Sequence, residues 1–157
     1  MTNNDALDEG SDDLVDAENG VSLSFRPRIL LAEDEPDHQR LISHILRKME
    51  ADVITAENGQ SAVDLALQAQ EEGNAFDLIL MDIRMPVMDG YLATRQLREA
   101  GYRLPVVALT ANTIKGDREK FIEAGGDDYI SKPFVVSEIA NLVKRLARQA
   151  RPRIPLG

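Results

Sequence analysis

Five short apolar blocks, each followed by a helix-patterned segment, predict a doubly wound α/β sandwich. Three observations carry the prediction. The blocks are continuously apolar rather than alternating, as strands covered on both faces are. The segments between them repeat apolar residues at helical spacing. The connections are short, so each strand, helix and next strand forms one parallel unit.

The elements follow in order. Ile29-Leu30-Leu31-Ala32 reads as the first strand. Residues 36–50 read as a helix that starts at a proline and carries Leu41, Ile42, Ile45, Leu46 and Met49 on one stripe. Residues 52–56 are the second strand. Residues 60–72 form a helix with Ala62, Val63, Leu65, Ala66 and Ala69 inward, stopped by Gly73-Asn74. Residues 78–81 are the third strand, and residues 91–100 a helix with Asp89 as N-cap and Gly101 as stop. The fourth strand is 105–109, the fourth helix 117–124 and the fifth strand 128–131. The last helix, 135 to about 150, turns Ile139, Leu142, Val143 and Leu146 inward.

Right-handed crossovers then give three layers around a five-stranded parallel sheet. Strand order 2-1-3-4-5, the flavodoxin-like order, is favoured over the larger Rossmann arrangement. Only five strands are available, and no Gly-x-Gly-x-x-Gly follows the first.

Domain organisation follows from charge. Residues 1–25 hold seven acids and no Lys or Arg, and these account for all but two of the nine net negative charges. Residues 1–26 are therefore expected to be an acidic disordered arm or linker, 27–150 the folded domain and 151–157 a loose tail. Lys144, Arg145, Arg148, Arg151 and Arg153 follow the last acid, Glu138. On a final helix they read as a solvated face, not as a nucleic-acid site. No apolar run approaches a membrane span and no secretory signal opens the chain, so a cytoplasmic setting is expected. The absence of cysteine excludes disulfides, thiolate metal sites and cysteine nucleophiles.

Ligands of such sheets bind outside the C-terminal ends of the strands, at the switch between strands 1 and 3. Strand 1 ends in Glu33-Asp34 and strand 3 in Asp82. Three carboxylates crowded together repel unless a cation sits among them, and oxygen-only ligation with few protein ligands suits Mg²⁺. Strand 4 ends in Thr110, a hydroxyl donor, and strand 5 is followed by Lys132, a cation. Taken singly, each is an ordinary loop residue. Together they suit a phosphoryl group, with Asp82 as the nucleophile that forms an acyl phosphate. No Ser-His-Asp triad or glycine-rich phosphate loop competes.

The same residues carry a resemblance. Leu30-Leu31-Ala32-Glu33-Asp34-Glu35-Pro36, Met81-Asp82-Ile83-Arg84-Met85-Pro86-Val87-Met88-Asp89-Gly90, Ala108-Leu109-Thr110-Ala111-Asn112 and Asp127-Asp128-Tyr129-Ile130-Ser131-Lys132-Pro133 stand in the order and spacing of the receiver domains of bacterial response regulators. The chain resembles that family over about residues 28–148. The wording, extended by Lys115-Gly116-Asp117-Arg118, is most similar to receivers of hybrid histidine kinases.

The resemblance implies roles. Asp82 would be the phosphoacceptor. Asp34 and Asp82, with the backbone carbonyl of Arg84, would ligate Mg²⁺, and Glu33 would assist through water. Lys132 would bond the phosphoryl group, before a cis peptide to Pro133. Thr110 and Tyr129 would switch with phosphorylation and remodel the surface of the fourth helix, fifth strand and fifth helix, where a downstream protein would dock. Glu33 departs from the commoner Asp, which puts metal affinity, not binding, in question. The donor would be a phosphohistidine of a kinase or phosphotransfer protein. The chain would be a monomer or transient dimer.

Other residues are weaker. Tyr129 by itself reads as half-buried packing. Arg84 and Asn112 flank the pocket and either tune acyl-phosphate hydrolysis or are plain loop residues. Met85 and Met88 read as loop packing. His38 and His44, the only histidines, read as solvated or partly packed helix residues. Two rival functions remain. One is a haloacid-dehalogenase-like phosphatase, which wants a second Asp where Arg84 stands. The other is a receiver-like interaction module that is never phosphorylated.

Overall fold

The three inner strands of this chain are apolar because the fold buries them at nearly every position. The computed structural model describes residues 26–110, 115–132 and 135–150, the side chains of 147–150 excepted. It contains β1 (Arg28–Ala32), α1 (Pro36–Lys48), β2 (Asp52–Ala56), α2 (Gly59–Glu71), β3 (Leu78–Asp82), α3 (Gly90–Glu99), β4 (Val106–Thr110), α4 (Asp117–Glu123), β5 (Asp128–Ser131) and α5 (Val136–Ala150). All strand pairs are parallel and the order is β2-β1-β3-β4-β5, as the sequence predicts. The expected acidic arm, the C-terminal tail, Asn112 and the Lys132-Pro133 peptide lie outside the described residues, apart from Arg26 and Lys132 themselves.

Successive strand residues point to opposite faces, so one sheet builds two cores. Leu30, Ile79, Met81, Val106 and Ala108 face α2, α3 and α4, packing on Ala62, Val63, Ala66, Ala93, Leu97 and Phe121. Ile29, Leu31, Leu78, Leu80, Val107 and Leu109 face α1 and α5, packing on Ile42, Leu46, Ile139, Leu142 and Val143. β3 and β4 are buried at every position because they lie centrally in the sheet. Each fully buried Leu or Ile contributes roughly 1.5–3 kcal/mol of transfer free energy.

Two details of α1 differ from the sequence reading. The helix ends at Lys48 rather than 50, although no glycine marks the end. Glu50 instead takes the left-handed conformation at φ 68°. Its N–H donates to the Arg47 carbonyl and that of Ala51 to the Leu46 carbonyl, which closes the helix as a glycine would. Leu41, expected on the inward stripe, is 55% exposed. A step of 100° from Ile42 carries it off the face that meets the sheet. The other boundaries differ from the reading by a residue or so. Asp82 and Thr110 prove to be the last paired residues of β3 and β4, opposite Leu109 and Ser131.

The β3–α3 loop is closely packed. A Cβ on Gly90 would lie 2.5 Å from the Asp82 carbonyl oxygen, and one on Gly59 would lie 2.2 Å from that of Met88. Only glycine permits these approaches. Val87 holds φ 70°, a strained setting for a β-branched residue, while Met85 and Met88 are buried beneath it, as loop packing. Asp89 caps α3 by accepting from the Leu92 N–H at 2.9 Å. Asp89→Ala is expected to lower the urea-unfolding free energy by about 1 kcal/mol. An unchanged midpoint would show that the cap contributes nothing.

Candidate functional site

The C-terminal ends of β1, β3 and β5 meet in a cleft of about 190 Å³, lined by Glu33, Asp34, Glu35, His38, Asp82, Arg84 and Lys132. Glu33 follows β1 directly. Its backbone N–H continues the ladder to the Ala56 carbonyl, which turns its side chain inward, where it is 1% exposed. The next residue, Asp34, is exposed. Asp82 arrives from β3 and is buried. One carboxylate oxygen each from Glu33, Asp34 and Asp82 lies within 4.8 Å of the other two.

A single ammonium faces this group. Lys132 Nζ donates to Glu33 Oε1 at 2.8 Å and stands 3.7 Å from Asp82 Oδ2. Its backbone is fixed by donation from Lys132 N–H to the Thr110 carbonyl at 2.7 Å. Glu33 Oε2 also accepts from the Glu35 N–H at 3.1 Å, and Asp82 Oδ1 from the Arg84 N–H at 3.2 Å. Four carboxylates line the cleft against Lys132 and Arg84, which leaves it net negative. Burial pushes the Asp82 carboxyl up from 3.8 to about 6; the Glu33 charge adds to the rise and Lys132 opposes it. The donor set, three carboxylates with no thiolate and no imidazole among them, fits a hard divalent cation such as Mg²⁺.

The structure thus brings Glu33, Asp34, Asp82, Arg84 and Lys132 into one cleft. Thr110 is buried at the end of β4, beside the Tyr129 side chain. Tyr129 is half-buried, as the sequence suggests, and burial raises its phenol. His44 lies farther along α1, beside Arg40, Ser43 and Arg47 in a separate shallow groove.

His38 is exposed on α1, within the sequence reading of a solvated or partly packed helix residue, and the structure adds a contact to it: its Nδ1 lies 3.3 Å from Lys132 Nζ and 3.8 Å from Glu33 Oε2. The short turn at 33–35 brings the first turn of α1 over the strand ends. Glu35 fixes that turn by accepting from the N–H groups of Asp37 and His38 at 3.0 and 3.3 Å. The signal available in the sequence was a histidine four residues after the acid pair, in the first turn of the following helix.

Comparison with known proteins agrees with this geometry. The family model for the response regulator receiver domain matches residues 29–144. Over 110 residues the chain is 41% identical to the hybrid signal transduction histidine kinase I of Dictyostelium discoideum, across 68% of this chain and 6% of that protein, so it spans a small part of that relative's length. The receiver domain of the sensor histidine kinase PA1611 from Pseudomonas aeruginosa PAO1, with a magnesium ion coordinated in its active site cleft, is 42% identical. Its TM-score is 0.69, covering 79% of this chain and 99% of that one. A chain in the co-crystal structure of the Saccharomyces cerevisiae histidine phosphotransfer signaling protein Ypd1 with the receiver domain of Ssk1 matches at TM-score 0.70. There the identity is 28%, over 80% of this chain and 92% of that one. No helix among the described residues is long and apolar enough to cross a membrane.

Proposed function

The chain belongs to the response regulator receiver domain family of two-component signalling, and on that premise we propose that Asp82 accepts a phosphoryl group from a phosphohistidine on a kinase or phosphotransfer protein. The observation that carries the reading is the buried Asp82 carboxylate, with Glu33 and Asp34 within 4.8 Å and the Lys132 ammonium at 3.7 Å. A carboxylate Oδ of Asp82 attacks phosphorus as the P–N bond of the donor breaks. The bonding pair returns to the donor imidazole, and an acyl phosphate forms on Asp82. Lys132 donates to the phosphoryl oxygens and the Thr110 hydroxyl to another, so negative charge is met by fixed donors as it moves.

Asp34 and Asp82, with the Arg84 carbonyl and with Glu33 through water, would hold Mg²⁺. The ion supplies positive charge that keeps Asp82 ionised and draws the phosphate dianion toward the three acids. Hydrolysis of the acyl phosphate by water resets the site, with Arg84 at the rim of the cleft setting its rate. When Thr110 turns toward the phosphoryl group, Tyr129 turns with it, and the face formed by α4, β5 and α5 changes shape for a downstream protein. The chain works in the cytoplasm, as the receiver part of a hybrid histidine kinase or as a stand-alone receiver. Seen this way it turns over no metabolic substrate.

The test is direct. The full chain incubated with Mg²⁺ and acetyl phosphate or phosphoramidate is expected to gain one phosphoryl group, about 80 Da, stable to acid and labile to base. No adduct with either donor or with a phosphorylated phosphotransfer protein would overturn the reading. Turnover of many phosphoesters per chain would favour a phosphatase, although Arg84 stands where such an enzyme places its second Asp.

A further inference from the structure

His38 lines the cleft yet has no part in the phosphoryl transfer just described. We propose that it is a positioning residue: its Nδ1 holds one N–H of Lys132, so that the ammonium stays between Glu33 and Asp82 and presents its remaining donor to the phosphoryl group. The inference rests on the phosphoacceptor reading of Asp82.

An ammonium has three N–H groups and accepts nothing. Because it only donates, the His38 nitrogen facing it at 3.3 Å takes the acceptor role in this pairing. Glu33 Oε1 takes a second N–H at 2.8 Å. Asp82 Oδ2, at 3.7 Å, is beyond bonding distance. These two acceptors hold Nζ short of Asp82, and the third N–H is left for an oxygen that arrives there. A lysine stem has four rotatable carbons and no fork to orient its head. With Glu33 as its one close partner, Nζ would pivot about that bond.

Two features place His38 for this task. Its own backbone N–H is bound by Glu35 Oε1, and the side chain of its neighbour Gln39 donates to the Glu33 carbonyl at 2.9 Å. The first turn of α1 is thereby fixed to the end of β1. The imidazole itself is 48% exposed, so truncation opens no cavity in the core. A loss of function on truncation thus reads on Lys132 rather than on packing.

The experiment measures the rate of phosphorylation of the full chain by phosphoramidate at saturating Mg²⁺, with thermal midpoints recorded for every variant. His38→Ala is expected to slow the reaction about fivefold, as loss of one partly exposed hydrogen bond to a charged group does. The thermal midpoint and the Mg²⁺ affinity are expected to stay within error of wild type. His38→Asn, whose amide oxygen also accepts, is expected to recover most of the rate. In a Lys132→Met background, His38→Ala is expected to slow the residual reaction no further, because the group it positions is gone. Equal slowing in both backgrounds, or none beside Lys132, would overturn the inference while leaving Asp82 as phosphoacceptor. A wild-type chain that takes no phosphoryl group would overturn the proposed function itself.

Discussion

Asp82→Asn is expected to abolish the phosphoryl adduct completely and, in EDTA at pH 7.5, to make the chain more stable than wild type. The first effect follows because an amide oxygen does not form the acyl phosphate. The second follows from burial. The folded chain raises the Asp82 carboxyl from 3.8 to about 6. Below pH 4 the proton is bound in both the folded and the unfolded chain, and the residue has no effect on stability. Between roughly pH 4 and 6 the folded chain keeps a proton that the unfolded chain releases, so stability falls as pH rises. Above pH 6 the full penalty is in place, about 2 kcal/mol once solvent at the outer face of the carboxylate is allowed for. Asparagine keeps the shape, still accepts from the Arg84 N–H and carries no charge toward Glu33. Urea titrations of both chains across pH 4–8 should therefore diverge with rising pH and converge near pH 4. A variant no more stable than wild type at pH 7.5 would refute the electrostatic account. Added Mg²⁺ should reverse the order by stabilising the wild-type pocket.

Lys132→Met removes the cation and leaves its partners. Glu33 and Asp82 have side chains only 1% and 10% exposed, so both negative charges stay nearly dry. Breaking a buried pair on one side costs about 3 kcal/mol, because the remaining ion has neither partner nor water. In EDTA at pH 7.5 that loss should appear in the unfolding free energy. It should shrink as pH falls through 6 and Asp82 takes up its proton. Mg²⁺ should restore much of it, since a dication supplies the missing charge. Phosphorylation by phosphoramidate should still fall on the order of a hundredfold, as when a fixed donor to a developing anion is removed. A melting curve unchanged in EDTA would show that Glu33 and Asp82 are solvated in solution and that the pair is decorative. Full rescue of the phosphorylation rate by Mg²⁺ would remove Lys132 from the transfer step.

Much of the site was legible because its parts sit at the ends of apolar blocks. Glu33-Asp34 and Lys132 follow strands, Asp82 and Thr110 end them, and parallel strands in a known order place their C-terminal ends side by side. His38 was not legible in the same way. It belongs to a helix, and the angle at which a helix leaves a strand depends on the turn between them. Here the Glu35 cap and the Gln39 bond set that angle. Leu41 fails for a related reason. A stripe of apolar residues fixes a helix face only to within about one residue's rotation, and the sheet then decides which edge of the stripe is covered.

By itself, the sequence determined the order of elements, the parallel sheet and the identity of the strand-end acids, hydroxyl and lysine. Those depend on local periodicity and on topology rules that hold for any chain with this pattern. Tertiary structure alone decided the charge state of the pocket. The rise of Asp82 to about 6 comes from burial by neighbours distant in sequence and from Glu33, 49 positions earlier. The approach of Lys132 to Glu33 and His38 spans 99 and 94 positions. Desolvation and Coulomb energies depend on distances through space, and those exist only once the five strands have closed into one sheet.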